Sequence, residues 1–263
     1  MNESGKVLSR KEGSVGHLVF SNPDRHNAVS LAMWRQAGEI LAGFAADGDL
    51  RVVVLSGAGN KSFVSGADIS RFNEERSTAT TARDYGAAVE RVYAAVHDFP
   101  KPTIAMIRGY CIGGGLGLAV SCDIRIAAGH SRFAMPAAKL GLGYDAAGMR
   151  RFVEVLGPSF TKEMFFTARQ FDVDEARLMG FVNRVVPDDE IEDFTRAYAG
   201  MIAANAPLTV AAAKFAVTEL AKDEDERDLD RCSEMIDRCF ASSDYEEGRR
   251  AFLEKRKPVF DGT

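Results

Sequence analysis

Four of the five residues from 113 to 117 are glycine, Gly113-Gly114-Gly115-Leu116-Gly117, and Leu118, Ala119 and Val120 continue the stretch as an apolar helix. By propensity alone, four glycines cost a helix about 3 to 4 kcal/mol relative to alanine. A chain that carries such a penalty needs bare backbone there. Amides at a helix start point along the axis with partial positive charge, so an anion or a polarised carbonyl oxygen can approach within hydrogen-bonding distance. Three uses compete: phosphate binding, an oxyanion hole, and close packing of the helix on a neighbour. The run lacks the Lys-Ser/Thr pair of a P-loop, and its spacing departs from the dinucleotide fingerprint. An oxyanion hole would join one of these amides to a second donor elsewhere in the chain.

The surrounding pattern is that of an α/β protein. Residues 17–20 read as a strand, and the polar stretch 21–27 as a loop leading to a helix near Ser30, along which Leu31, Trp34, Leu41 and Phe44 recur at helical spacing. Residues 52–55 form a short buried strand closed by the glycine-rich loop 56–60. The segment 70–81 is polar and irregular. Val89, Val92, Tyr93 and Val96 then mark a helix that Pro100 and Pro102 end. Residues 103–107 form the next strand, 108–112 cross into the glycine run, and 123–127 and 132–135 are further strands. After Asp145 the pattern is mostly helical, with Asp172-Val173-Asp174-Glu175 as a capping box and Gly180 as a stop. A last strand spans 181–186. From Glu190 onward only helices are expected, the last running from near Asp244 to Lys257.

With 263 residues, of which 46% are hydrophobic and 27% charged, the chain can bury a sizeable core as one compact body with a smaller helical segment. Its formal net charge of -5 argues against a nucleic-acid surface. No run approaches the roughly 18 to 20 apolar residues of a membrane span, and residues 1–12 lack the apolar core of a signal peptide, so a cytoplasmic location is expected. Cys111, Cys122, Cys232 and Cys239 form no C-x-x-C pair and do not cluster with histidine, which speaks against a metal site. Cys232 and Cys239 lie two helical turns apart, roughly 10 Å, too far for a disulfide, and all four thiols are expected to be reduced. The charged run 222–227 reads as a solvated loop.

Several stretches together resemble the crotonase superfamily, the enoyl-CoA hydratase/isomerase family: Phe63-Val64-Ser65-Gly66-Ala67-Asp68-Ile69, Lys101-Pro102-Thr103-Ile104-Ala105, Gly109-Tyr110-Cys111-Ile112-Gly113-Gly114-Gly115 and Cys122-Asp123. The resemblance extends to Glu175-Ala176, to Gly180-Phe181-Val182 and to Phe252-Leu253-Glu254-Lys255-Arg256, and so covers nearly the whole chain. It implies an α/β fold, a spiral of ββα units over residues 1–188. A helical C-terminal segment over 189–263 would serve oligomerisation and cover coenzyme A. Homotrimers or dimers of trimers are the implied assemblies. The resemblance places the two oxyanion donors at the amides of Ala67 and Gly114. It further implies that coenzyme A, carried as part of an acyl-CoA substrate and not as a resident cofactor, runs along Asn27, Ala28, Ala67, Asp68, Ile69 and Ser70, with Phe252 and Lys255 near its nucleotide end.

Hydration of an enoyl thioester needs two acidic groups facing one pocket, one to activate water and one to protonate the α carbon. Family hydratases carry glutamates where this chain has Gly117 and Ala137, so both are missing. Asp145 is the nearest alternative acid, at a place that is acidic in related dienoyl-CoA isomerases, although those keep a glutamate where Ala137 stands. Aspartate ahead of Ala146-Ala147-Gly148 is equally suited to cap a helix, which would weaken it as a base. Tyr144 is a candidate hydrogen-bond or proton donor, or a packing residue. Glu90 is a reserve acid whose helical setting favours the surface. The sequence therefore predicts an enzyme that stabilises a thioester enolate, with isomerisation or related chemistry favoured over hydration. A hydratase with unusual acid–base residues and a non-catalytic acyl-CoA-binding protein are the alternatives.

Overall fold

A computed structural model describes residues 5–68, 71, 75 and 77–263 of the chain. Its strands are β1 (Lys6–Glu12), β2 (Val15–Ser21), β3 (Val52–Gly57), β4 (Ser62–Val64), β5 (Thr103–Ile107), β6 (Tyr110–Ile112), β7 (Ile124–Ala128), β8 (Arg132–Ala134) and β9 (Arg184–Val186). The helices are α1 (Leu31–Ala46), α2 (Ala79–His97), α3 (Gly114–Val120), α4 (Ala146–Thr167), α5 (Val173–Leu178), α6 (Ile191–Ala203), α7 (Pro207–Leu220), α8 (Leu229–Phe240) and α9 (Ser243–Glu254).

Six strands form one sheet in the order β1-β2-β3-β5-β7-β9, and three form a second in the order β4-β6-β8. Only the β1–β2 hairpin is antiparallel. From β3 the chain lays one strand in the large sheet, one in the small sheet, then a helix, and advances by one position in each sheet as it repeats. That is the α/β spiral of ββα units expected above.

Burial on both faces explains the unbroken apolar run of β3. Val53 and Leu55 belong to the main core with Trp34, Leu41 and Phe63, whereas Val52 and Val54 join Ile104, Ile126, Ile191 and Ala199 on the other face, under α6. The first helix of the C-terminal segment is thus packed on the sheet. Ser30 caps α1 by accepting from the Met33 amide, which aims Met33, Trp34, Ala37 and Leu41 into the core. The capping box at Asp172 is present, with Asp172 accepting from Glu175 N and Glu175 accepting from Asp172 N. Among the described residues no single helix is long and apolar enough to cross a membrane.

Three strands escape the sequence reading. Strand β1 is an edge with Val7 its one buried residue, so it shows no apolar alternation. Strands β4 and β6 have three residues each, too few to display a period, and 108–112 is part strand instead of a plain crossing. Two boundaries also move. Helix α2 begins at Ala79, after a Thr78–Thr81 capping box inside the stretch read as irregular. The last strand is only Arg184–Val186, because Asn183 is turned toward Arg125, its amide donating to Arg125 O and its Oδ1 accepting from Arg125 N.

The small sheet sets the position of the glycine run. Strands β4 and β6 are parallel neighbours, Val64 pairing with Cys111, so the chain leaving β4 and the chain leaving β6 emerge side by side. At that exit a Cβ on Gly115 would stand 2.0 Å from the Val64 carbonyl oxygen, a backbone contact that cannot give way. Gly43, exposed in the last turn of α1, has no heavy atom within 4 Å of the corresponding position. Gly43→Ala is accordingly expected to raise stability by about 0.5 to 1 kcal/mol, and Gly115→Ala to lower it by about 3 kcal/mol or more. Denaturant melts of the two variants check this, and a Gly115→Ala protein as stable as the parent would refute the close approach.

Candidate active site

Beyond β4 the chain makes a single parallel bridge between Val29 and Ala67, in which Val29 N donates to Gly66 O at 2.8 Å and Asp68 N donates to Val29 O at 3.1 Å. In such a bridge the groups flanking Ala67 face Val29, and the amide of Ala67 itself faces the other way. Gly66 permits this turn with φ of +105°, and a Cβ there would lie 3.7 Å from Gly114 N. The Ala67 and Gly114 segments are therefore brought together.

The start of α3 is pinned on both sides of Gly114. Gly113 N donates to Ala134 O of β8 at 2.9 Å, and Gly113 O accepts from Gly117 N at 3.0 Å. The peptide that carries the Gly114 amide thus has its carbonyl engaged inside the helix, and its N–H points the opposite way. Among the described residues neither the Ala67 nor the Gly114 amide finds a protein acceptor, and both residues are half-buried.

An aromatic wall stands behind these amides. The hydroxyl of Tyr93, on α2, donates to Gly114 O at 2.7 Å, and its ring meets Trp34 edge-on with centroids 5.7 Å apart. Trp34 Nε1 donates to Tyr85 Oη at 2.9 Å, which in turn donates to Val29 O at 3.0 Å. Burial pushes the Tyr93 phenol well above its ordinary pKa, reinforced by Tyr144, Tyr85 and Glu90 nearby. Tyr144 packs edge-on against Phe165, centroids 5.2 Å apart. Glu90 faces inward, contrary to the surface placement expected from its helix. It accepts from buried Arg151 through both oxygens, at 2.6 and 3.1 Å. That bidentate pairing draws the carboxylate toward the core.

Comparison with known proteins agrees with this architecture. The profile of the enoyl-CoA hydratase/isomerase family matches residues 10–263. The chain belongs to that family. It is 33% identical over 255 residues to a short-chain-enoyl-CoA hydratase of Clostridium acetobutylicum, covering 97% of each chain. It is 35% identical over 267 residues, and over 100% of each chain, to a carnitinyl-CoA dehydratase of Proteus mirabilis. A solved structure of an enoyl-CoA hydratase/carnithine racemase from Magnetospirillum magneticum superposes with a TM-score of 0.90 at 37% identity, covering 98% of this chain and 96% of that one.

Against that background, the two positions where family hydratases would carry glutamate hold no acid. Ala137 is a buried methyl in the short turn Pro136–Leu140. At Gly117 an added Cβ would stand 2.6 Å from the Tyr93 hydroxyl and ring, so the tyrosine fills the space of the missing side chain. Tyr93 was expected only as part of a helical apolar face, and no spacing signal marks it otherwise. Asp145 is exposed and caps α4, Oδ1 accepting from Gly148 N at 2.7 Å. Of its two expected uses, the cap is the one the geometry makes.

The residues that the resemblance assigns to coenzyme A are split between two places. Asn27 is buried in a left-handed conformation, its side chain wholly spent on the loop: Nδ2 donates to Ala58 O and Ser62 O, and Oδ1 accepts from Asn22 N. Ala28 follows it, and Asp68 accepts from Arg25 at 3.1 Å. Ile69 and Ser70 lie outside the described residues. Phe252 is 84% exposed on α9 and lines a surface cavity with residues of α7 and α8, a cavity that none of Asn27, Ala28, Ala67 and Gly114 borders. Lys255 ends that helix in a left-handed conformation. The four cysteines are unpaired.

The cap at Asp145 has a stability consequence that separates it from any chemical role. Asp145→Ala is expected to cost about 1 kcal/mol, and Asp145→Ser, which restores an oxygen acceptor, only a few tenths. Equal melting of both variants with the parent would show that the capping bond contributes nothing.

Proposed function

We propose that this protein acts on an acyl-CoA thioester by stabilising an enolate, with the amides of Ala67 and Gly114 as the pair that receives the thioester oxygen. The observation that carries this is the convergence, at the exits of adjacent parallel strands, of two backbone N–H groups without an acceptor among the described residues. In acyl chemistry such a donor contributes on the order of 3 to 4 kcal/mol to the transition state, because it is fixed before charge develops. Coenzyme A would pass along residues 27–28 and 67–70, with Phe252 and Lys255 toward its nucleotide end. Alanine at 67 and glycine at 114 suit this role, since small residues let a ligand reach the backbone.

Isomerisation or a related enolate reaction is favoured over ordinary hydration. Water addition requires a general base and an acid, and the positions where two glutamates would supply them hold Gly117 and Ala137. Proton transfer between two carbons of one dienolate needs only a single shuttling group. Asp145 is the proposed shuttle and Tyr144 the proposed donor beside it. Asp145 can take a proton on Oδ2 while Oδ1 keeps its bond to Gly148 N. The hydratase and dehydratase names of the relatives support a second reading, a lyase with unusual acid–base groups. The capped state of Asp145 keeps a third, an acyl-CoA-binding protein without chemistry.

Hydrogen exchange distinguishes the three. In deuterium oxide, crotonyl-CoA and a hexadienoyl-CoA incubated with the protein are expected to take up deuterium at the α or γ carbon. Asp145→Asn is expected to lower that rate at least tenfold, about 1.4 kcal/mol in the barrier, with thioester binding retained. Unchanged exchange in the variant would remove Asp145 as the shuttle. Rapid formation of 3-hydroxybutyryl-CoA would establish hydration instead, and binding without exchange would leave a carrier.

A further inference from the structure

We propose that Tyr93 is the positioning residue of the candidate oxyanion site, its hydroxyl fixing the first turn of α3 so that the Gly114 amide presents a single direction. The inference rests on the reading of Ala67 and Gly114 as oxyanion donors and names a side chain that sets one of them.

Residues 113–115 have no side chains to hold their rotation, so their peptide planes must be fixed by hydrogen bonds. The peptide entering Gly113 is tied to Ala134 O at 2.9 Å, and the peptide leaving Gly114 is tied to Tyr93 Oη at 2.7 Å. Between these two anchors lies the one peptide plane that carries the Gly114 N–H. That plane is also held through its own carbonyl, Gly113 O accepting from Gly117 N at 3.0 Å, so release of the Tyr93 anchor frees the peptide that follows it and lets the first turn tilt.

Tyr93 is itself held tightly. Its ring abuts Trp34, and its hydroxyl and ring occupy the space that a side chain at 117 would need. The fit is therefore reciprocal: glycine at 117 leaves room for the phenol, and the phenol orients the turn in which Gly117 lies. Burial keeps the phenol protonated, so it remains a donor to Gly114 O and is no base.

The test uses cinnamoyl-CoA, whose conjugated thioester absorbs at longer wavelength when its carbonyl is polarised by hydrogen-bond donors. On the parent protein the band is expected to shift to the red. Tyr93→Phe keeps the ring and removes only the hydroxyl. It is expected to bind cinnamoyl-CoA within about threefold of the parent yet lose more than about half of the shift, since donor direction and not packing sets the polarisation. Gly117→Ala, which displaces the ring, is expected to give the same loss and carries the test should Tyr93→Phe fail to fold. A full shift in either folded variant overturns the proposal. So does a loss of affinity above about tenfold accompanying the lost shift, which would make Tyr93 a structural filler. A parent protein that binds the probe with no shift would overturn the oxyanion reading itself, and the role of Tyr93 with it.

Discussion

The short strand β4 is enclosed by backbone. A Cβ on Gly57 would stand 2.1 Å from Phe63 O, one on Gly109 2.0 Å from Lys61 O, and one on Gly115 2.0 Å from Val64 O. Three glycines from three segments thus close on four consecutive residues, 61–64. No side chain separates them, so the spacing is set by backbone contact, which yields far less than side-chain packing. Everything that follows β4 inherits that fixity. Gly66 and Ala67 leave the strand at a set point, with Gly66 beside Gly114, and the bridge to Val29 then turns the Ala67 amide away from Val29.

Placing the polar work of the site on the backbone changes what side chains are left to do. Backbone donors persist whatever residues surround them, whereas acid–base capacity comes only from side chains. Here Trp34 and Tyr93 pack beside the glycine run, and with Tyr85 they form a chain of ring contacts and hydrogen bonds that ends on backbone carbonyls. The charges at hand are already matched. Arg151 and Glu90 bond one another through two contacts at the edge of the wall, and burial of an arginine is tolerable only with such a partner. On the proposed reading, the two amides, which find no protein acceptor among the described residues, are the dipoles from which a developing oxyanion gains.

How much of this is legible in the sequence depends on the range of the interactions. Local rules suffice for the caps at Ser30 and Asp172, for the alternative use of Asp145 as a cap, and for the apolar strands β3, β5 and β7. The glycine run announces itself by its cost. Strands β4 and β6 do not, because three residues held by close backbone approach carry no period, and what reveals them is their neighbours' missing side chains. Tyr93 is hidden for a related reason. On its own helix it is one more apolar position, and its bond to Gly114 exists only once α2 has packed on α3. Glu90 misleads in the opposite sense: a carboxylate on a helix belongs outside unless a buried arginine from another helix turns it in, and Arg151 lies 61 residues away.

The spiral topology explains why these long-range pairings converge at one place. Each turn lays a strand in the small sheet, so β4, β6 and β8 are parallel neighbours drawn from successive turns, and what leaves their ends is gathered at one edge. Ala67 follows β4, Gly114 follows β6, and Ala137 follows β8. The first two contribute backbone and the third a side chain. Substitution at 137, or at 117 with its aromatic partner at 93, therefore changes the side chains gathered at this edge while the strands beneath stay paired. On the proposed reading, a fold organised in this way keeps thioester polarisation constant and varies where the proton goes.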